Sequence, residues 1–248
     1  MKIAVYGDSY SVANWQCDKI AWYNILAEKL GGTVYDEKGL IRAGIGAGGR
    51  PVFLSYKNFL KYHKNYDFNI FVVGDPYRYT KQYSLNNHEF YATNLNTVDY
   101  LLAQGEIDKK EAEYLTGWFL KTDYDFLNTA HELMLQDIER HDPKVLMIPS
   151  HRKGTAIDGT IGSFNEERMK RLNMDFGLTD LVRTQLDCLG AAPDWYWKTE
   201  NPERICCHFT EETNAWLANE LFDYIKHNKK LELPKYIHHT KDYKYYYE

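Results

Sequence analysis

A serine and a histidine that stand far apart in the chain carry the most suggestive chemistry in the sequence. Ser9 ends a Gly-Asp-Ser motif after a short strand-like run, and His208 directly precedes an amphipathic segment. A serine hydroxyl becomes a nucleophile at neutral pH only beside a base, most commonly a histidine. If a helix follows the strand, the serine N–H also lies near a positive helix end, where it can stabilise an oxyanion. Each residue alone also fits a structural role in a turn or loop, so only the two together indicate a nucleophile and its base.

Apolar runs that alternate with helical patterns indicate the elements that must bring these residues together. The runs are short and β-branched and end at glycine or proline, which is typical of buried parallel strands. The alternation predicts a mostly parallel sheet with helices on both faces, a three-layer α/β/α sandwich, whose ligands bind beyond the carboxyl ends of the strands. The predicted strands cover residues 2–6, 67–73 and 144–149, and the predicted helices cover residues 18–30, 108–140, 177–188 and 211–226.

The segment boundaries predict one domain with a tail. No repeat or linker-like segment interrupts residues 1–228, so we predict a single α/β domain there. Residues 81–107 are polar and rich in tyrosine and asparagine, which indicates an excursion from the core. Together with a predicted loop over residues 150–175, this excursion would determine which ligand or substrate the protein accepts. Residues 229–248 are charged and tyrosine-rich, and they predict a C-terminal extension that lies on the surface or is poorly ordered.

Composition narrows the function classes. The 248 residues carry a formal net charge of −5, which argues against a nucleic-acid-binding protein. No run of about eighteen apolar residues could span a membrane, and the short apolar N-terminus is unlike a signal-peptide core. The four cysteines show neither a disulfide framework nor metal-ligand spacing. We therefore expect a soluble cytoplasmic protein with reduced cysteines and no metal ion.

The two motifs resemble those of the SGNH (GDSL-type) hydrolase family. Its first block, Gly-Asp-Ser at the end of the first strand, is matched within residues 3–9, and its last block places a histidine before the final helix, as His208 is placed here. The resemblance covers residues 3–225 in layout and implies an α/β/α sandwich of the SGNH-hydrolase (flavodoxin-like) type. It implies a serine hydrolase that cleaves an acyl or acetyl ester of a small molecule or a glycan, without a cofactor. Ser9 would be the nucleophile and the first oxyanion donor, and His208 the general base.

The second oxyanion donor of the family is the N–H of a glycine in a glycine-rich block. Gly46 is the first candidate within residues 42–49, and Gly44 and Gly48 are the alternatives. The same segment could be a phosphate-cradling loop of a nucleotide-binding α/β protein. Its spacing is not G-x-G-x-x-G after a first strand, and no Gly-Lys-Ser/Thr follows, so the hydrolase interpretation is favoured.

The third block departs from the family pattern. Where the family has Gly-x-Asn-Asp, this chain reads Gly74-Asp75-Pro76-Tyr77-Arg78, so a proline replaces the asparagine whose amide would donate to the oxyanion. Arg78 is predicted to replace that donor or to hold an anionic part of the substrate, with Asp75 beside it in the site. Arg78 could equally pair with Asp75 or another surface acid.

The acid that orients the histidine is also displaced. The family places an aspartate three residues before the histidine, where this chain has Ile205. Glu203 is the first candidate to replace it and Asp194 the second, and a backbone carbonyl could instead orient His208 in a serine–histidine dyad. These departures favour a runner-up hypothesis, a binding or structural protein on the same fold that has lost hydrolysis.

Overall fold

The computed structural model has an α/β fold in which helices flank a mostly parallel sheet, as the sequence predicts. No helix among the described residues is long and apolar enough to cross a membrane. The structure describes residues 1–12, 18–46, 50–85, 88–91, 95–150, 170, 172–190 and 205–240. The strands are β1 (Lys2–Val12), β2 (Thr33–Val34), β3 (Ile45–Gly46), β4 (Phe68–Val73), β5 (Gln82–Leu85), β6 (His88–Tyr91), β7 (Leu146–Pro149), β8 (Ile205–Cys206) and β9 (Phe209–Thr210). The helices are α1 (Trp22–Lys29), α2 (Val52–Tyr62), α3 (Leu95–Ala103), α4 (Lys109–Lys121), α5 (Tyr124–His141), α6 (Leu178–Leu189) and α7 (Glu211–His227).

The main sheet is built around β1. β4 pairs with β1 in parallel, with Ile3 opposite Phe68 and Tyr6 opposite Phe71, and β7 pairs in parallel with β4. β2 and β3 pair in parallel with the other edge of β1. Most residues of β1 and β4 are buried, which is typical of parallel strands that helices cover on both faces.

The strand order is β2–β1–β4–β7. The chain thus adds β2 on one side of β1 and later β4 and β7 on the other side, and this change of side determines where the helical layers lie. Because crossovers between parallel strands are right-handed, α1 and α2 lie on opposite faces of the sheet. α1 packs against α7 and α2 packs against α5, so helical layers enclose the sheet. In such folds, ligands bind beyond the carboxyl ends of the two strands at which the order changes side, which here are β1 and β4.

The end of β1 differs from the prediction. From the sequence, the first strand stops before Gly7 and Ser9 begins a helix, whereas in the structure Ser9 lies inside β1, which continues to Val12. Gly7 has a φ of +148°, and both Gly7 and Val12 pair with Gly46, so the residues between them bulge out of the ladder. Glycine allows a bulge here because a Cβ on Gly7 would lie 2.7 Å from the Cβ of Val72.

The other predicted elements are mostly confirmed. β4, β7, α6 and α7 cover the predicted runs, and Thr210 caps α7 by accepting a hydrogen bond from the N–H of Thr213 at 3.2 Å. The helical periodicity over residues 108–140 is confirmed, and the structure divides it into two helices, α4 and α5. Asp123 accepts a hydrogen bond from the N–H of Phe126 at 2.9 Å and thereby starts a new helix.

The described parts of the excursion and of the tail both pack against other elements. Residues 81–107 include the β5–β6 hairpin and α3, and they share a small hydrophobic cluster with α4. In the described part of the tail, residues 229–240, Leu231 and Ile237 are buried in the main core. Leu231 also donates to the carbonyl of Asn173 at 3.0 Å. Apolar residues between the charged ones give the tail a side that can be buried.

Candidate active site

Three strand ends meet at Asp8, whose carboxylate is completely buried in the bulge of β1. Its Oδ2 accepts hydrogen bonds from Arg78 Nη1 at 3.0 Å and from Ser150 Oγ at 3.2 Å, and its Oδ1 accepts from the N–H of Tyr10 at 3.2 Å. Arg78 follows β4 and Ser150 follows β7, so these bonds join the carboxyl ends of three adjacent strands. A buried charge is tolerated when it is paired and hydrogen-bonded, and the Asp8 carboxylate is both.

His208 lies in the turn of the β8–β9 hairpin. The two turn residues, Cys207 and His208, have φ values of +55° and +68°. A left-handed conformation costs a residue with a side chain about 1–2 kcal/mol, and such two-residue turns usually contain Asn or Gly. Histidine adopts this conformation more readily than most residues, whereas cysteine does not. The turn is therefore strained, and strain of this kind is concentrated at functional sites.

This hairpin holds the His208 ring against β1. The ring centroids of His208 and Tyr10 lie 5.1 Å apart. Gln185, a completely buried residue of α6, donates from Nε2 to the carbonyl of His208 at 3.2 Å and accepts from the N–H of Thr210 at 2.8 Å. On the other side of the contact, Trp22 Nε1 donates to the carbonyl of Tyr10 at 2.9 Å. Buried hydrogen bonds therefore position both the histidine and the strand that it touches.

Burial lowers the pKa of His208 below its ordinary value, because the interior disfavours the charged imidazolium. The Asp8 carboxylate opposes this effect and raises the pKa, whereas the Arg78 guanidinium lowers it further. The net shift leaves the ring neutral at pH 7, and a neutral imidazole has a nitrogen that can accept a proton. His208 is thus in the protonation state of a general base.

Ser9 lies in the same bulge, between Asp8 and Tyr10, and it is half-buried. The fold therefore brings Ser9 and His208 to the same sheet edge, since Tyr10 contacts the His208 ring. Catalysis by this pair would require a hydrogen bond between Ser9 Oγ and a ring nitrogen of His208. In enzymes without bound substrate such bonds are often long and form fully only in the complex, so the arrangement is compatible with catalysis.

The other predicted site residues that the structure describes lie around the carboxyl ends of these strands. Gly46 is in β3, where it pairs with both ends of the bulge. Asp75 is buried, and its Oδ1 accepts from the N–H of Tyr77 at 2.8 Å, so this carboxylate shapes the loop after β4. The Arg78 guanidinium pairs with Asp8, and that ion pair is almost entirely buried. Glu203 and its alternative Asp194 lie outside the described residues, as Gly48 does.

Three residues of the edge are not among those predicted from the sequence. Asp8 belongs to the Gly-Asp-Ser motif, but its partners Arg78 and Ser150 are 70 and 142 residues away, and no local spacing indicates them. Ser150 directly follows a predicted strand, so its position at a strand end was an available signal. Gln185 is a polar residue on the buried side of α6. A polar residue on an otherwise apolar helix face is a sequence feature by which it could have been predicted as part of the site.

Gly46 allows β3 to approach the bulge closely, and this contact can be tested. A Cβ on Gly46 would lie 2.3 Å from Ser11 Oγ and 2.6 Å from the Ser11 carbonyl carbon. We expect Gly46→Ala to lower the free energy of unfolding by about 1–3 kcal/mol, the usual cost of overpacking. Gly117→Ala in α4 is the control, because nothing lies within 4 Å of that Cβ position, and it should stabilise the protein by about 1 kcal/mol. Urea unfolding measures both changes, and a neutral Gly46→Ala would contradict the close contact.

Comparisons with known proteins do not assign the chain to a family. No protein-family model matches the chain, and comparisons with curated proteins and with solved structures returned no match either. The motif and the contacts at the carboxyl end of the sheet are therefore the features that indicate a function.

Proposed function

We propose that the protein is a serine hydrolase of the SGNH type, which cleaves an acyl or acetyl ester of a small molecule or a glycan. The contact between the His208 ring and the β1 bulge beside Ser9 is the observation that carries this proposal. The turn that holds the histidine is strained, the ring is neutral, and the half-buried serine lies at the end of the sheet where such folds bind ligands. A serine is activated by a neutral base close to it, and strained residues are concentrated at functional sites.

In the proposed reaction, the Ser9 hydroxyl attacks the ester carbonyl while His208 accepts its proton. The Asp8 carboxylate stabilises the imidazolium that forms, consistent with its raising the pKa of His208. His208 then returns the proton to the leaving alcohol. The same ring next takes a proton from the water that attacks the acyl-enzyme, and it gives this proton to Ser9 Oγ as the bond between Oγ and the acyl carbon breaks and the acid leaves.

The oxyanion that forms on the ester carbonyl needs hydrogen-bond donors. The proposed donors are the N–H groups of Ser9 and Gly46, with Arg78 as the nearby positive charge. Pro76 has no N–H and stands where the family has its asparagine donor. Loss of one oxyanion donor usually lowers the rate by about 10²–10³, so we expect a slow enzyme.

A binding or structural protein on the same fold is the second candidate. It is favoured by Pro76, which stands where the family has its asparagine donor, and by Ile205, which stands where the family has the acid. In such a protein, the buried pair of Asp8 and Arg78 would join the strand ends without taking part in chemistry.

A fluorophosphonate probe distinguishes the two candidates, because it bonds covalently to an activated serine. We expect an adduct on Ser9, identified by peptide mass spectrometry and missing in Ser9→Ala. Because only neutral His208 can act as base and burial lowers its pKa, the labelling rate should rise with pH and reach half its maximum below about pH 6.5. An unlabelled Ser9 at every pH at which the protein stays folded would favour the binding or structural protein.

A further inference from the structure

The hairpin that carries His208 also holds two adjacent thiols. The Sγ atoms of Cys206 and Cys207 lie 3.7 Å apart, and neither cysteine is in a disulfide. Neighbouring side chains of a strand normally point to opposite faces, but the positive φ of Cys207 takes it out of this alternation. The two sulfur atoms are therefore already in contact.

We propose that Cys206 and Cys207 are a site of reversible oxidation, at which a peroxide closes a disulfide between the adjacent residues. This inference goes beyond the proposed function and does not depend on it, because the thiol chemistry does not require Ser9 to be a nucleophile. It is a covalent modification site on the turn that positions the candidate base.

The order of steps follows from the exposure of the two thiols. Cys207 is half-buried and Cys206 is buried, so the peroxide reaches Cys207 first. The Cys207 thiolate attacks one peroxide oxygen, the O–O bond breaks, and Cys207 becomes a sulfenic acid as the first water is released. Cys206 then attacks that sulfur, the S–S bond forms and a second water leaves. Two thiols have lost two electrons and two protons, and one hydrogen peroxide has become two waters.

Closing this disulfide must change the turn. The sulfur atoms have to move from 3.7 Å apart to about 2.05 Å, while the Cα atoms of adjacent residues are held about 3.8 Å apart. That Cα separation is below the range of about 4.4–6.8 Å found in most disulfides, so the bond is strained and easily reduced again. Oxidation also removes the thiol proton that Cys207 directs at the carbonyl of Val12, at an S···O distance of 3.9 Å. The hairpin loses a contact with β1, and the His208 ring is displaced from Tyr10.

The test uses the full chain with Cys17→Ser and Cys188→Ser, which leaves only the adjacent pair. After hydrogen peroxide treatment, both thiols should be lost to Ellman's reagent in denaturant, and dithiothreitol should restore them. The tryptic peptide 205–226, which contains both cysteines, should become lighter by two hydrogen atoms. The NMR signal of the His208 ring, assigned by its absence in His208→Asn, should shift on oxidation and return on reduction.

Single variants provide the control. In the same background, Cys206→Ser and Cys207→Ser each keep one thiol, so neither should give the lighter peptide. Two thiols that survive peroxide, or that are lost only in disulfide-linked dimers, would overturn the proposal. An internal disulfide that leaves the His208 signal unmoved would overturn its coupling to the candidate base. None of these measurements uses ester hydrolysis, so their failure is distinct from a failure of the proposed function.

Discussion

Ser9→Ala and His208→Asn should each lower kcat/KM for a short p-nitrophenyl ester by at least about a thousandfold. Ser9→Ala removes the nucleophile and His208→Asn removes the base, and a covalent route needs both. Asparagine is the substitute for His208 because it tolerates the left-handed conformation of the turn, so the hairpin keeps its geometry. Steady-state kinetics at pH 7 measure the loss, and thermal unfolding shows that both variants remain folded.

Ser55→Ala is the matched control for these variants. Ser55 Oγ donates from α2 to the carbonyl of Gly7 at 3.1 Å, so it contacts the same strand without belonging to the site. Its loss should lower the free energy of unfolding by about 1 kcal/mol and leave ester hydrolysis unchanged. The double variant Ser9→Ala/His208→Asn should be no slower than either single one, because the two groups act as a unit. Full activity in Ser9→Ala would remove Ser9 from the mechanism.

Arg78→Met should be the most destabilising single change at the sheet edge, lowering the free energy of unfolding by about 3–5 kcal/mol. It leaves the completely buried Asp8 carboxylate without its charged partner. It also removes the guanidinium that lowers the pKa of His208, so that pKa should rise and the pH at which hydrolysis is half-maximal should rise with it. Urea unfolding measures the first effect, and the pH dependence of kcat/KM measures the second.

The double variant Asp8→Asn/Arg78→Met separates the ion pair from side-chain packing. Removing both charges should recover part of the lost stability, with a coupling energy of about 0.5–3 kcal/mol in the double-mutant cycle. Arg42→Met is the surface control, because it breaks the more exposed pair of Arg42 and Glu28 and should cost less than about 1 kcal/mol. Strictly additive effects of the two substitutions at the edge would show that Asp8 and Arg78 do not interact.

The fold could be predicted from the sequence where local patterns determine structure. The continuous apolar runs of β4 and β7 indicate buried strands, and Thr210 in front of an amphipathic run indicates the start of α7. α2 is not predicted, because its buried face contains Ser55 between Val52 and Phe59 and the apolar stripe is interrupted. The bulge of β1 depends on contacts between Gly7 and distant strands, which no local pattern encodes.

For the site too, local sequence patterns predict the positions of residues, whereas contacts between residues far apart in the chain could not be predicted. Ser9 and Arg78 could be placed at the sheet edge because each follows a recognisable apolar run, and His208 because it precedes a helix. The partner of Arg78 could not be predicted, since a sequence does not show which acid becomes buried. The strain at Cys207 and His208 also depends on tertiary contacts, because Gln185 and Tyr10 hold the hairpin in place.

The contact between β1 and the β8–β9 hairpin also has a consequence for synthesis and folding. Val12 and Cys207, which meet there, are 195 residues apart in the chain. Contacts of such long separation carry a large loop-closure entropy and form after local ones. At about 5–20 residues per second, a ribosome needs about 10–40 s to make the intervening chain, during which the edge of β1 has no histidine beside it. The nascent chain can therefore build most of its sheet before it contains both Ser9 and His208, so the proposed hydrolysis could begin only after residue 208 has been made.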